Sequence, residues 1–278
     1  MPTVEQNLRE WGRDYEWVKQ GDEWSSTWGG AEAQWFGAIF PRIQAFLPAG
    51  RMLEIAPGFG RWTHYLRGLC EHLTVVDMAE HCINACRRRF ASDTHISYHV
   101  NDGKSLEMVQ DDSTDFVFSF DSLVHAEADV IEIYLRQLAR KLTPNGVAFI
   151  HHSNIGAYQQ DFSRMEKIPA MLKPAITRMG FVFDYKHWRA FSMTAGLFEK
   201  YCEQHGLACT GQELVNWGSQ RMIDCFSVFT RKGSVWSRPN RVIRNPDFMR
   251  EADLIRRWSE VYTTASFPAR GVAAGGPT

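Results

Sequence analysis

The sequence has no excess of charge of either sign, no long apolar run and no paired cysteines. Its 31 lysines and arginines stand against 32 aspartates and glutamates, for a formal net charge of −1. A nearly neutral chain gives no electrostatic reason to bind nucleic acid or an anionic membrane. No apolar run approaches the ~20 residues that cross a bilayer, and the N-terminus is polar and unlike a secretory signal. We therefore expect a cytoplasmic protein that neither binds nucleic acid nor spans a membrane.

The six cysteines are scattered and include no Cys-x-x-Cys pair. Cys82 and Cys86 are four residues apart on a predicted helix, but no second pair completes a metal site. We expect all six to be reduced thiols, most of them buried. The 278-residue chain is 44% hydrophobic and carries 10 tryptophans and 18 phenylalanines. That content is ample for the core of one large domain, with some aromatic rings left to line a ligand pocket.

One stretch predicts a nucleotide-binding unit. The apolar residues 52–56 predict a buried parallel strand, which ends in the Pro-Gly-Phe-Gly turn of residues 57–60. Glycine tolerates positive φ and lets backbone N–H groups approach a ligand. Residues 61–69 predict a helix whose amino end points at that ligand. A second apolar strand, 73–76, is followed by Asp77, where a carboxylate can accept both hydroxyls of a ribose.

Three features bear on the identity of the nucleotide. The turn holds two glycines, Gly58 and Gly60, whereas a dinucleotide fingerprint has three. Glu54 lies inside an apolar strand, where an unpaired carboxylate is costly to bury, so a cationic amine on the ligand would offset the cost. Asp102 and Gly103 follow a third predicted strand, where an adenine would lie. An ordinary turn followed by a surface acid is the alternative interpretation.

Together with a fourth strand at 116–119, these motifs resemble the class I S-adenosylmethionine-dependent methyltransferases over residues 50–155. The resemblance implies an α/β, Rossmann-like fold with a mostly parallel seven-stranded sheet, helices on both faces, N-terminal helices and an inserted helical lid. It implies S-adenosyl-L-methionine as cofactor, with Asp77 on the ribose, Asp102 on the adenine amine, and Glu54 and the glycines around the amino-acid part. Where many members have a third glycine, this chain has Pro57 and Phe59, which leaves the path of the loop open. The implied cofactor residues are Glu54, Pro57, Gly58, Gly60, Arg61, Asp77, Met78, Asp102, Gly103, Phe120 and Trp28.

The pattern divides the chain into three parts. We expect an N-terminal helical cap over residues 1–48, a methyltransferase domain over 49–235, and a C-terminal helix with a flexible tail over 236–278. Trp24 and Trp28 lie in a Ser/Gly-rich loop of the cap, either over a pocket or as plugs in the core. Residues 155–190 break the strand–helix rhythm and predict an inserted lid or dimerisation segment, so a homodimer stays open. Further helices are predicted at 5–20, 31–47, 79–91, 130–142, 195–205 and 248–262, and further strands at 96–100, 115–120, 147–150, 209–217 and 224–230.

Candidate catalytic groups follow the fourth and fifth strands, whose carboxyl ends border the ligand crevice in an open α/β sheet. A hydroxyl acceptor needs a base or a metal to remove its proton. His125 lies four residues after Asp121, so a helical turn would let Asp121 orient it. Alternation lets only one of His151 and His152 face the crevice. We expect His125 or His152 to be the base, with Asp121 as its orienter.

The same groups offer a metal site as a minority interpretation. Asp121 with an imidazole such as His152, and Glu213 or Asp224 as a third ligand, could hold Mg²⁺. Histidine is a less usual magnesium ligand than carboxylate, so the expected site has no metal.

The stretches 24–30, 118–125, 150–154, 212–217 and 224–227 are similar to those of bacterial methyltransferases that act on sugars and polysaccharides, among them the mycobacterial type that methylates a 3-O-methylmannose oligosaccharide. The resemblance implies an O-methyltransferase of polysaccharide biosynthesis with an oligosaccharide acceptor. Three alternatives remain: a small-molecule N- or O-methyltransferase with a non-sugar acceptor, a nucleotide-dependent dehydrogenase, and an inactive cofactor-binding partner subunit.

Overall fold

The computed structural model describes residues 3–178 and 188–262. One eight-stranded sheet forms the centre of the fold, and its strands are Ala49–Ile55 (β1), Cys70–Asp77 (β2), Ile96–Val100 (β3), Thr114–Ser119 (β4), Leu142–Ser153 (β5), Leu207–Val215 (β6), Asp224–Arg231 (β7) and Arg241–Asn245 (β8). Their order across the sheet is β3-β2-β1-β4-β5-β7-β6-β8. Strands β1 to β5 pair in parallel, β7 is antiparallel to β5 and β6, and β8 is parallel to β6. The expected Rossmann-like α/β fold is confirmed, with eight strands where seven were expected.

The helices cover both faces of the sheet, and their bounds are Val4–Arg9 (α1), Ala31–Gln34 (α2), Phe40–Ile43 (α3), Thr63–Leu66 (α4), Glu80–Arg89 (α5), Ala128–Lys141 (α6), Gln159–Glu166 (α7), Lys173–Arg178 (α8), Ala195–Gln204 (α9) and Phe248–Tyr262 (α10). Strand β1 shows why two cores form, because successive side chains point to opposite faces. Leu53 and Ile55 pack with α6 and α9 on one face, and Met52 packs with α5 and α10 on the other. None of the helices in the described ranges has the length and apolar character that a bilayer span requires.

The N-terminal helices are shorter than the sequence pattern predicts. After α1 the chain forms a π-helical turn, Glu10–Asp14, and later a 3₁₀ segment, Asp22–Trp28. The helix expected over 31–47 is interrupted by a second π-helical turn, Trp35–Ile39. Pro41 lies two residues beyond this turn and has no N–H to donate to it, which accounts for the break in regular hydrogen bonding.

The segment after β5 is helical, as predicted. It contains 3₁₀ turns at Ile155–Tyr158 and Ala170–Leu172 together with α7 and α8. Its later part, residues 179–187, and the expected flexible tail from residue 263 lie outside the described residues.

Candidate active site

A cavity of about 460 Å³ lies at the carboxyl ends of β1, β2 and β4. Its volume falls in the range of ~300–1,000 Å³ that is usual for small-molecule sites. Its walls come from the turn after β1, the ends of β2 and β4, and the N-terminal segment. It brings together the following predicted residues: Pro57, Gly58, Arg61, Asp77, Met78, Gly103, Phe120, Asp121 and His125.

Asp77 joins the end of β2 to the glycine turn. Its Oδ2 accepts the N–H of Gly58 at 3.2 Å, and its Oδ1 accepts the N–H of Ala79 at 2.9 Å. Gly58 has a φ of +58°, and a Cβ there would lie 2.6 Å from Cη2 of Trp17, so the turn requires glycine. Burial raises the pKa of Asp77 to about 6, against the effect of its backbone donors. The carboxylate lines the cavity at the position expected for a ribose contact.

Glu54 lies beneath the turn and does not line the cavity. Its Oε2 accepts the hydroxyl of Thr63 at 2.5 Å, and its buried Oε1 has no partner in the described part of the chain. Burial raises the pKa of Glu54 to about 8, so the side chain is mostly protonated at neutral pH and requires no cation. Gly60 also does not line the cavity, although it was expected to contact the cofactor. A Cβ on this residue would lie 2.6 Å from Phe90. It serves packing against α5.

Asp102 and Trp28 also lie away from this cavity. The exposed Asp102 accepts the N–H groups of Ser105 and Lys104, which hold the pKa of its carboxyl below the usual range. Its neighbours Asn101 and Gly103 line the cavity instead. Trp28 is 1% exposed and packs between Trp217 and Phe248, with ring centroids 5.1 and 5.9 Å away.

His125 is the imidazole that lines the cavity. Its Nδ1 lies 2.5 Å from the carbonyl oxygen of Trp188. Because a carbonyl only accepts, Nδ1 carries the proton and Nε2 keeps its lone pair. Burial and the neighbouring Arg189 lower the pKa of His125 to about 3, so the ring is neutral. Trp11 covers it, with ring centroids 5.0 Å apart.

The expected pairing of Asp121 with His125 is wrong. Asp121 Oδ2 instead accepts a hydrogen bond from Nη2 of Arg61 at 2.9 Å. Arg61 also donates to Ser25 Oγ at 3.2 Å and lies 4.5 Å over the ring of Trp62. His125 lies in the 3₁₀ turn Leu123–His125, and its imidazole bonds to the carbonyl oxygen of Trp188 and not to Asp121.

His151 is buried behind the cavity wall. Its Nδ1 accepts the backbone N–H of Asp121 at 3.1 Å, and its Nε2 lies 3.2 Å from Oδ2 of Asp224. Arg189 holds the same carboxylate with Nε at 2.9 Å and Nη2 at 3.0 Å. Burial works to raise the pKa of Asp224, but Arg189 and His151 hold it well below its usual range.

The expectation that His152 faces the crevice is wrong. Alternation along β5 points it into the opposite core, where it stacks on Phe198 with centroids 4.2 Å apart. Its Nε2 lies 2.8 Å from Ser227 Oγ and its Nδ1 2.9 Å from the carbonyl of Ser153. Burial lowers the pKa of His152 to about 3. A fully buried ring with both nitrogens hydrogen-bonded has no access to an acceptor.

Comparison with known proteins identifies the central part of the chain. Residues 52–146 match the family described as methyltransferase domain. The match covers about a third of the chain, so it identifies these residues as similar to a methyltransferase domain. Over 106 residues it is 33% identical to nodulation protein S of Rhizobium tropici, across 36% of this chain. The chain spans 41% of that protein and 4% of a second, far longer curated relative.

Solved structures share the fold of the methyltransferase domain. The PH0226 protein of Pyrococcus horikoshii OT3 is similar with a TM-score of 0.55 and 17% identity, covering 80% of this chain and 98% of that one. A DhpI–SAH complex is similar with a TM-score of 0.53 and 16% identity, covering 83% and 97%. The expectation of a methyltransferase is confirmed at the level of this domain, and the dehydrogenase alternative gains no support.

No metal centre is found among residues 3–178 and 188–262. In these ranges no three His, Cys, Asp or Glu side chains lie close enough together to bind a metal ion. The candidate ligands are engaged elsewhere. Asp121 is bound by Arg61 and Asp224 by Arg189, while Glu213 accepts both Nε and Nη2 of Arg42 at 2.6 Å. The Mg²⁺ interpretation is therefore unsupported.

Several residues that line the cavity of the methyltransferase domain are not predicted by the sequence pattern. Glu127 accepts the backbone N–H of Ser192 with Oε2 at 3.2 Å, while its buried Oε1 has no partner among the described residues. Trp11 and Arg189 also line the cavity, far apart in sequence. Only the aromatic character of Trp11 on a predicted helix gave a signal. Of the two tryptophans in the Ser/Gly-rich loop, Trp24 lines the cavity and is 43% exposed, whereas Trp28 is buried in the core. The pocket interpretation therefore holds for Trp24 and the core interpretation for Trp28.

Proposed function

We propose that this cavity binds S-adenosylmethionine and that the protein transfers its methyl group to a sugar hydroxyl, with a methylated mannose oligosaccharide as the acceptor. The observation that carries the proposal is the neutral imidazole of His125, whose unprotonated Nε2 belongs to the same cavity as the Asp77 carboxylate. A base matters for a hydroxyl acceptor, since its proton must leave as the new bond forms.

The chemistry of the lining fits the cofactor. Asp77 has oxygen lone pairs beyond those used by Gly58 and Ala79, and these suit the two hydroxyls of a ribose. Met78 and Gly103 line the cavity near Asp77. They lie close to each other, since a Cβ on Gly103 would be 3.3 Å from the sulfur of Met78. The unpartnered Oε1 of Glu127 suits a hydrogen-bond donor such as an amine. These side chains replace Glu54 and Asp102 in the proposed binding set.

S-adenosylmethionine, when bound, supplies a methyl group whose carbon–sulfur bond breaks, with the electron pair staying on sulfur, as the acceptor oxygen forms the carbon–oxygen bond. His125 accepts the hydroxyl proton on Nε2 and becomes an imidazolium, which burial and Arg189 oppose and which the Asp121 and Asp224 carboxylates favour. The Trp188 carbonyl keeps the Nδ1–H in place during that step. Asp121 and Arg61, paired at 2.9 Å, border the same space and offer polar atoms to the acceptor. Catalysis then consists of alignment together with removal of one proton.

A neutral sugar suits the cavity better than a charged acceptor. Arg61 and Arg189 are both paired with buried or half-buried carboxylates, so neither offers a free charge to an anion. Trp11, Trp24 and Trp217 present broad aromatic surfaces, which suit the apolar face of a sugar ring. The resemblance to sugar methyltransferases noted in the sequence supports the same acceptor.

The direct test supplies ¹³C-methyl S-adenosylmethionine together with a 3-O-methylmannose oligosaccharide and follows the product by ¹³C NMR. A new O-methyl resonance that requires the enzyme is expected. Transfer to an amine acceptor in preference to any sugar would overturn the sugar assignment. An N-methyltransferase would in addition keep its rate when His125 is replaced, because an amine needs less help in losing a proton.

A further inference from the structure

The turn that follows β4 holds Asp121 in an unusual backbone conformation. Its φ is +65°, in the left-handed region that is uncommon for residues other than glycine. The Asp121 side chain lines the cavity and is paired there with Arg61. A conformation of this kind persists only where the surrounding structure holds it, and such residues cluster at ligand sites. The contacts that hold Asp121 therefore bear on how the acceptor is placed.

One of those contacts comes from the core of the protein. The backbone N–H of Asp121 donates to Nδ1 of His151 at 3.1 Å. Because Nδ1 accepts this bond, the proton of the neutral ring lies on Nε2, which is 3.2 Å from Oδ2 of Asp224. Both His151 and Asp224 are 0% exposed. The carboxylate of Asp224 thus favours the tautomer that leaves Nδ1 free to accept, the opposite of the tautomer found for His125.

The ring of His151 is fixed in its orientation. Its centroid lies 4.9, 4.9 and 4.8 Å from those of three aromatic side chains, Phe120, Trp217 and Phe226. Arg189 fixes the Asp224 carboxylate by donating from Nε at 2.9 Å and from Nη2 at 3.0 Å. A packed ring with a fixed tautomer presents its Nδ1 lone pair to Asp121 from one direction.

The place of the Asp121 carboxylate matters for the proposed base. Burial and Arg189 lower the pKa of His125 to about 3, and the carboxylate of Asp121 acts in the opposite direction. Asp121 uses Oδ2 for Arg61, so Oδ1 is the oxygen that can accept a hydroxyl of the acceptor. A shift of the Asp121 backbone would move this carboxylate relative to the acceptor and to His125 together.

We propose that His151 is a positioning residue for methyl transfer: by accepting the Asp121 N–H on Nδ1, it holds the Asp121 carboxylate beside the acceptor and His125. The proposal rests on the proposed function for the acceptor and the base. His151 does not line the cavity, so it takes no part in proton transfer. It acts on the acceptor through the backbone of Asp121.

A matched pair of variants separates the two nitrogens of His151. In His151→Asn the amide oxygen takes the place of Nδ1 and can accept from Asp121, but the contact with Asp224 is lost. In His151→Gln the amide N–H takes the place of Nε2 and can donate to Asp224, but nothing accepts from Asp121. Both variants should keep the wild-type affinity for S-adenosylhomocysteine, because neither change touches Asp77.

The two variants should differ in turnover of a 3-O-methylmannose oligosaccharide. We expect His151→Gln to lower kcat/KM for this acceptor by about 10–100-fold and His151→Asn by no more than about threefold, since small displacements of a positioning group are costly. A purely structural role predicts the reverse order, because His151→Asn leaves the buried Asp224 with one partner fewer. The reverse order, or equal losses in the two variants, would overturn the proposal.

Hydrogen exchange at the Asp121 amide tests the contact without any acceptor. The amide should exchange at least about tenfold faster in His151→Gln than in the wild type, and His151→Asn should restore the slow exchange. The matched control is His152→Asn, which changes a buried histidine on the opposite face of β5 and should alter neither Asp121 exchange nor kcat/KM. Wild-type exchange at Asp121 in His151→Gln would overturn the proposal.

The wild-type protein alone provides a further check. Nitrogen-15 NMR of the histidine side chains should find Nδ1 of His151 unprotonated and Nε2 protonated, the reverse of His125. A proton on Nδ1 of His151 would overturn the proposal, since the Asp121 N–H would then have no acceptor. A wild-type protein that methylates no mannose oligosaccharide refutes the proposed function, whereas the tautomer and the exchange rates decide whether His151 holds Asp121.

Discussion

The imidazole of His125 is held by the backbone of Trp188, with Nδ1 2.5 Å from the carbonyl oxygen. This contact joins the turn after β4 to a residue 63 positions later in the chain. Trp188 in turn donates its indole N–H to Oδ1 of Asn7 at 3.3 Å, and Asn7 donates to the carbonyl of His125 at 2.8 Å. Three distant segments therefore fix the tautomer and the position of the proposed base.

Replacement of His125 by Gln is expected to lower kcat by about 10²–10⁴-fold, the usual contribution of a positioned general base. The affinity for S-adenosylhomocysteine should stay near the wild-type value, because the amide keeps a similar size and can still donate to Trp188. Steady-state kinetics and calorimetry on the same preparation check both halves. Full retention of kcat would remove His125 from the mechanism.

The low pKa of His125, about 3, predicts the shape of the pH–rate profile. A base whose pKa lies this low stays unprotonated as the pH falls through 6.5, the usual value for histidine. We therefore expect kcat, measured at saturating S-adenosylmethionine so that the titration of Asp77 does not limit the rate, to have no acid limb between about pH 5.5 and 7.5 in the wild type. An inflection in that interval that disappears in His125→Gln would show that the imidazole titrates normally.

Replacement of His152 by Ala is expected to affect stability and not the chemical step. The change removes a ring stacked on Phe198 and leaves the hydroxyl of Ser227 without that partner. A loss of roughly 2–4 kcal/mol in the free energy of unfolding follows from cavity formation and the broken hydrogen bond. Urea unfolding measures the loss, and kcat per folded molecule should be unchanged. A stable variant without turnover would contradict this assignment.

The affinity for S-adenosylhomocysteine should weaken as the pH falls through the pKa of Asp77, about 6. The ionised carboxylate is the better acceptor for ribose hydroxyls, and each pH unit below the pKa lowers its ionised fraction about tenfold. Calorimetry between pH 7.5 and pH 5 should show the Kd rising over that range. Asp77→Asn should bind more weakly with a nearly flat pH dependence. An unchanged affinity in this variant would exclude the ribose role.

The ion pair of Arg189 with Asp224 is expected to be important for folding. The substitution Arg189→Met leaves the Asp224 carboxylate buried beside His151, with an expected cost of about 3–5 kcal/mol. In the wild type the pKa of Asp224 is depressed, so the stability from this pair is present above the unfolded pKa of ~3.9 and declines as the pH falls below it. Urea unfolding at pH 7 and at about pH 2.5, below the unfolded pKa, checks both statements. An Arg189→Met variant as stable as the wild type would contradict them.

Local sequence patterns were sufficient to predict the parts of the fold that depend on hydrophobic periodicity and on the residues that form turns. The buried strand before the glycine turn, Asp77 at the end of β2, and helix α6 follow from hydrophobic spacing and glycine placement. The eighth strand was missed because Arg241–Asn245 is short and mostly exposed at the edge of the sheet, where no apolar alternation is required.

The candidate site was harder to predict because its orientation depends on tertiary contacts. Asp121 and His125 were expected to pair because of their spacing, but Arg61 binds the carboxylate and the backbone carbonyl of Trp188 binds the imidazole. The rule that His151 and His152 alternate is correct, yet neither lines the cavity, since Trp217 and Phe226 cover His151. The partner of His125 is a backbone carbonyl, which no side-chain pattern can reveal.

The most direct measurement of the central claim is a calorimetric titration of the purified protein with S-adenosylhomocysteine and, separately, with NADH. We expect binding of S-adenosylhomocysteine in the micromolar range, weakened in Asp77→Asn, and no binding of NADH. Binding of NADH with no response to S-adenosylhomocysteine would contradict it.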